Sequence, residues 1–143
     1  MKTEPLVVER TYNAPVELVW KALTEKDHIK QWSFDIPEFK PEVGFEFTFK
    51  GGKDGTYIHL SKVMEAIPNK KLSYAWRYKG YAGDSLVTFE LFAEGDKTRV
   101  KLTHEGIEAI AVNGPDFYRE NFQMGWTAII GTNLKDFVEK EKS

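Results

Sequence analysis

From Tyr118 onward the apolar residues of this chain return every three or four positions, at Phe122, Trp126, Ile129, Ile130, Leu134, Phe137 and Val138, with Arg119, Glu120, Lys135, Asp136, Glu139 and Lys140 between them. That spacing is one stripe of an α-helix and predicts a long amphipathic helix from about Asp116 to about Lys140. Asn113-Gly114-Pro115-Asp116 supplies its start: a turn, a proline suited to a first helical turn, and a carboxylate at the positive end of the helix dipole. Gly125 and Gly131 fall inside the helix, where each costs about 1 kcal/mol against alanine. Either close packing on a sheet or clearance for a ligand beside Trp126 is expected to use that space.

Elsewhere the period is two. Leu6, Val8 and Tyr12 alternate near the amino terminus and share their face with Arg10, which belongs at a sheet edge or in a polar corner of a pocket. Asn13-Ala14-Pro15 stops that strand and offers Asn13 and Pro15 as cap and first-turn residue for a helix carrying Val16, Val19, Trp20 and Leu23. A second short helix, capped by Thr24 or Asp27, carries His28 and Ile29 toward Trp32. After an irregular stretch, Phe45, Phe47 and Phe49 alternate with Glu46, Thr48 and Lys50 as a half-buried strand. Gly51-Gly52-Lys53-Asp54-Gly55 lacks the spacing and hydroxyl of a phosphate-binding loop and reads as a hairpin turn.

In the next strand Ile58, Leu60, Met64 and Ala66 share a face that Lys62 interrupts, with Val63 opposite, so a bulge near Ser61 is expected to switch faces midway. Three more alternating runs follow, through Leu72, Tyr74, Trp76 and Tyr78, then Val87, Phe89 and Leu91, then Val100, Leu102 and His104. Short turns between them imply an antiparallel meander, and Glu105 to Val112 is a connector, either loop or helical turn. The fold class is α+β: a curved antiparallel sheet of about six strands wrapped around one long terminal helix, with two short helices after the first strand. Residues 1–143 read as one domain. Wherever helix and sheet fail to meet, an apolar cavity results.

Aromatic residues at 14% are the unusual item of composition, and they make either a bulky core or the wall of an apolar pocket. With 20 basic and 22 acidic residues there is no overall drive toward nucleic acid or anionic lipid, and the early helix pair is not basic enough to read DNA. No apolar run is long enough to span a bilayer and no secretory signal opens the chain, so the expected address is the cytoplasm. The absence of cysteine removes thiolate metal sites and thiol catalysis.

The histidines are His28, His59 and His104; none forms a helical i, i+4 pair, so no metal and no cofactor are expected. His104, on the face of Val100 and Leu102, is either a core histidine satisfied by the protein or a ligand's hydrogen-bond partner or general base. Ser61, Ser73 and Ser85 sit in no nucleophile elbow, the carboxylates are scattered, and no catalytic residue is assigned. The candidate ligand-binding set is Trp32, Phe47, Phe49, Tyr74, Trp76, Phe89, Phe122 and Trp126, with Tyr74, Arg10 or His104 supplying the orienting polar contacts.

The order of elements resembles the START-like, or birch-pollen-allergen-like, helix-grip fold, and local sequence narrows the likeness. Asn13-Ala14-Pro15-Val16-Glu17-Leu18-Val19-Trp20-Lys21-Ala22-Leu23-Thr24, then Trp32, then Val43-Gly44-Phe45-Glu46-Phe47 resemble the amino-terminal half of the heat-shock-protein-90 ATPase activator homologue family. Ile67-Pro68 with Leu72-Ser73-Tyr74-Ala75-Trp76, Val87-Thr88-Phe89, Thr98-Arg99-Val100, His104-Glu105-Gly106 and Gly125-Trp126 continue the resemblance over nearly the whole chain. It implies a cavity between sheet and helix and a superfamily that binds lipids, steroids or polyketides, sometimes catalytically. The expected partner is therefore a hydrophobic small molecule. Two alternatives stay open: a chaperone-associated or other protein-interaction domain, and a polyketide cyclase or dehydratase-like enzyme. Binding needs an apolar cavity, an enzyme needs polar groups converging inside it, and an interaction domain needs an exposed apolar patch.

Overall fold

Alternation of apolar and polar residues gives six strands that can bury one face each, and they do so on a common helix. The computed structural model describes residues 5–32, 39–51, 57–81, 83–114 and 117–142. In chain order these form β1 (Leu6–Tyr12), α1 (Val16–Thr24), α2 (Lys26–Trp32), β2 (Glu46–Gly51), β3 (Tyr57–Ile67), β4 (Lys71–Tyr78), β5 (Ser85–Glu94), β6 (Lys97–Glu105), α3 (Ile107–Ala111), α4 (Arg119–Ala128), a π-helical turn (Ile129–Asn133) and α5 (Leu134–Lys142). The strands make one antiparallel sheet in the order β1-β6-β5-β4-β3-β2, so the meander from β2 to β6 is closed by β1 returning beside β6. The helix-grip architecture expected from the sequence is the one observed.

Phe47 and Phe49 point to the core from β2, and their register partners on β3 are Ser61 and His59. This register turns the expected face of β3 over. His59, Ser61 and Val63 are buried, whereas Ile58 and Met64 are exposed and Leu60 is half-buried. A bulge does switch the strand's faces, but between Val63 and Glu65 rather than near Ser61, and beyond it Ala66 packs on the core opposite Leu72. The apolar content of β3 misleads because side-chain direction is set by the partner strand, and one residue of slip inverts it.

The terminal helix buries Trp126, Ile130, Leu134 and Val138, each four residues from the last. In a regular α-helix such a series drifts about 40° around the axis per step. The π-helical turn at Ile129–Asn133, with more residues per turn, unwinds the helix in the middle and offsets that drift. Tyr12, fully buried on β1, donates its hydroxyl to the Ile130 carbonyl at 2.5 Å, inside this turn. The expected start of the helix is corrected: α4 begins at Arg119 after Tyr118, with no side-chain cap, while Pro115 and Asp116 lie outside the described residues. Asn13 likewise does not cap α1. Its N–H donates to a Glu139 carboxylate oxygen of α5 at 2.8 Å, tying the first loop to the last helix. Thr24 donates back to the Trp20 carbonyl rather than capping α2.

Candidate functional site

The concave face of the sheet carries a run of polar atoms with a defined direction. The Trp126 indole N–H of α4 donates to Nδ1 of His104 on β6 at 3.0 Å. Ser85 on β5 donates its hydroxyl to the Trp76 carbonyl on β4 at 2.6 Å and lies 2.8 Å from Nε2 of His104. Since Nδ1 accepts and the serine proton is already spent on a carbonyl, the imidazole proton sits on Nε2 and is donated to Ser85 Oγ. The chain therefore reads Trp126 to His104 to Ser85 to the Trp76 carbonyl, crossing from the helix over three strands. His104 has no exposed surface, and burial pushes its pKa down to about 3, in keeping with a neutral ring.

This direction decides the chemistry available. A serine nucleophile needs its proton turned toward an imidazole lone pair, and here the imidazole donates to the serine. The one lone pair left on the ring is taken by the indole N–H. In this arrangement His104 is a core histidine satisfied by the protein, and the relay fastens α4 to the sheet.

Around the relay the aromatic rings touch one another. Trp76 and Trp126 have centroids 5.3 Å apart, Phe89 lies 6.1 Å from Trp126, and Phe122 lies 5.1 Å from His104. Tyr74 meets Phe47 at 5.3 Å and Phe89 at 6.0 Å, and burial raises its phenol pKa well above the ordinary value. His59, which the sequence did not single out, completes the wall: it stacks on Phe49 at 4.3 Å and lies 4.7 Å from Trp76 and 4.6 Å from Tyr78. Burial lowers its pKa to about 4, against the opposing effect of a hydrogen bond to the Phe49 backbone. The signal that finds His59 is its place two residues from Ser61 on the strand opposite the Phe45-Phe47-Phe49 alternation.

Of the sequence-derived set, Phe47, Phe49, Tyr74, Trp76, Phe89, His104, Phe122 and Trp126 are thus brought together on the concave face. Arg10 is not among them; it is exposed on edge strand β1, beside the π-helical turn. A Cβ built on Gly131 would lie 3.6 Å from the Arg10 Nε. The side chain of Trp32, the last residue of α2, lies outside the described residues. Gly125 is exposed with open space around its Cα, so among the described residues neither close packing nor clearance beside Trp126 accounts for it. Among the described residues no group of three or more His, Asp or Glu is placed to hold a metal ion, and no helix is long and apolar enough to cross a membrane.

No curated protein matches the chain. Among solved structures it is similar to protein MLL2253 from Mesorhizobium loti, with 29% identity and a TM-score of 0.79 over 96% of this chain and 98% of that one. Protein CV1439 from Chromobacterium violaceum, at 22% identity and a TM-score of 0.79, covers 95% of this chain and 97% of its own. DynU16, titled a putative protein in the dynemicin biosynthetic locus, aligns at 19% identity with a TM-score of 0.80 over 98% of this chain and 49% of that one, a likeness of fold. The family model described as activator of Hsp90 ATPase homolog 1-like protein matches residues 13–139, from the loop after β1 to the end of the buried stripe on α5, and the chain belongs to that family.

Proposed function

We propose that this chain binds an uncharged hydrophobic small molecule, lipid-, steroid- or polyketide-like, between the concave face of the sheet and the terminal helix. Residues 1–143 act as one START-like unit in the cytoplasm. The observation that carries this reading is the neutrality of the interior: among the described residues no carboxylate, lysine or arginine is buried, and the two buried histidines are held uncharged. A charged ligand would lose its hydration there without a partner, whereas an apolar one gains about 25 cal/mol for each Å² it buries. Phe45, Tyr74 and Phe122 are packed on the core yet only partly buried, and they are the side chains that yield to a ligand. A ligand hydroxyl taking the place of the Trp126 N–H would donate to Nδ1 of His104, the one orienting contact the relay offers.

Native mass spectrometry of protein purified gently from its source, with the released molecules identified, tests this. The expected result is a stoichiometric hydrophobic compound that is lost in Phe122→Ala. A clean apo mass, together with no binding from a broad lipid and polyketide panel, would overturn the reading.

A further inference from the structure

The opposite face of the sheet holds an open groove of about 970 Å³, at the upper end of the range of small-molecule sites. Its floor is aliphatic: Leu60 and Met64 on β3, Ala75 on β4 and Leu86 on β5. These alternate along their strands with the inward-facing Val63, Trp76 and Val87, and Met64 is 49% exposed. The groove exists because β3 is turned over, so its aliphatic residues face away from the helix. It also overlies the stretch where pairing of β3 with β4 lapses between Leu60↔Arg77 and Val63↔Tyr74.

The charge around this floor is uneven. Four carboxylates border it, Glu46, Asp84, Glu105 and Glu108, against Lys62 and Arg77. Arg77 lies 4.0 Å from Asp84, and Lys62 faces Glu46 across the β2–β3 register. Glu105 and Glu108 have no ion pair among the described residues. Their corner is rigidly built. Gly106 takes a left-handed φ of +82° with Asp84 O 3.1 Å from where its Cβ would be, and a Cβ on Gly83 would fall 2.2 Å from the Ala109 carbonyl oxygen. Only glycine permits that approach of the β4–β5 loop to α3, which carries Glu108 to the groove that Glu105 also borders.

We infer that this groove binds a small amphipathic cation, its ammonium group at Glu105 and Glu108 and its aliphatic body laid across Leu86 and Ala75 toward Leu60 and Met64. The register gives the path: Glu105 pairs with Leu86, and Leu86 with Ala75. From β6 to β4 is two strand spacings, about 10 Å, the reach of an extended octyl chain, whose end then meets β3.

The test is an amide chemical-shift titration of the full chain with n-octylammonium, and with n-octanol and octanoate as neutral and anionic matches. Saturable shifts centred on Leu60, Ala75, Leu86 and Glu105 are expected for octylammonium, with octanoate giving none there. Glu105→Gln with Glu108→Gln, whose spectrum reports retained folding, should weaken binding roughly tenfold. Equal binding of octanoate, or affinity unchanged in the double variant, would overturn the proposal. So would shifts centred on Trp126 and His104, which instead report the interior site. Saturation by a Lys/Leu peptide but not by octylammonium would assign the groove to a protein partner, and would also overturn it.

Discussion

On the face that meets the terminal helix the buried polar side chains are neutral, and three of them are joined in a line with a fixed proton direction, from Trp126 through His104 and Ser85 to a backbone carbonyl. On the opposite face, apart from the buried Ser73–Thr88 hydroxyl pair at 3.2 Å, the ion pairs are loose and reached by solvent, such as Arg99 with Glu9 at 2.8 Å and with Glu94 at 3.4 Å, or Lys71 with Glu65 at 3.2 Å. The difference follows from the cost of removing each group from water. A neutral donor or acceptor can be buried once it is hydrogen-bonded, whereas a charge is cheap only where solvent still reaches it. The same sheet therefore offers an uncharged aromatic surface on one side and a charged, aliphatic groove on the other.

The strongest way to break this contrast is to remove the anchor of the relay. Trp126→Ala should cost about 3–5 kcal/mol in denaturant unfolding, from the lost aromatic volume. Trp126→Phe keeps most of the volume but leaves Nδ1 of His104 without its donor, and should cost about 1–3 kcal/mol. If Trp126→Phe costs nothing, the hydrogen bond contributes nothing and the relay is only packing; if it costs as much as Trp126→Ala, the loss lies in the hydrogen bond rather than the volume.

Acid acts on the inner face through its two histidines. His59 and His104 have folded pKa values near 4 and 3, below their ordinary value of 6.5. Below pH 6.5 the unfolded chain takes up two protons that the folded chain refuses. Stability is therefore complete above that pH and falls as pH drops toward 4, by up to about 1.4 kcal/mol per pH unit for each histidine. Urea midpoints between pH 7 and 4 check this, and His59→Phe, which keeps the stack on Phe49, should flatten the slope.

Tyr12→Phe leaves the Ile130 carbonyl of the π-helical turn without its donor and should cost about 1–2 kcal/mol, read as a lower urea midpoint. Gly125→Ala, on the solvent side of α4 with nothing near the added methyl, should raise stability by about 1 kcal/mol in the same assay. Glu9→Gln, on the outer face, should leave the midpoint where it is, because its ion pair with the half-exposed Arg99 is screened by water.

The long helix and the alternation of β2, β4, β5 and β6 were legible because each is a local pattern: one apolar stripe, or one apolar face, with nothing to contradict it. The inward aromatic set was legible for the same reason. For Arg10 the sequence left a sheet edge and a polar pocket corner both open; the strand order decided for the edge, where a guanidinium on an inward face still reaches water. β3 was misread because both of its faces carry apolar residues and its own sequence does not say which way they point. His59 was missed with it.

Sequence alone determined the helix-grip architecture, the family and the terminal helix, because hydrophobic period and turn placement are written residue by residue. Tertiary structure alone decided that His59 is inside and Leu60 outside, since register with β2 sets that parity. It also decided the helix's π-helical turn, which four-residue spacing of buried positions requires only when they must all meet one sheet. The tautomer of His104 was likewise decided only there: it depends on a tryptophan 22 residues away and a serine 19 residues away, and no local pattern carries which of them donates.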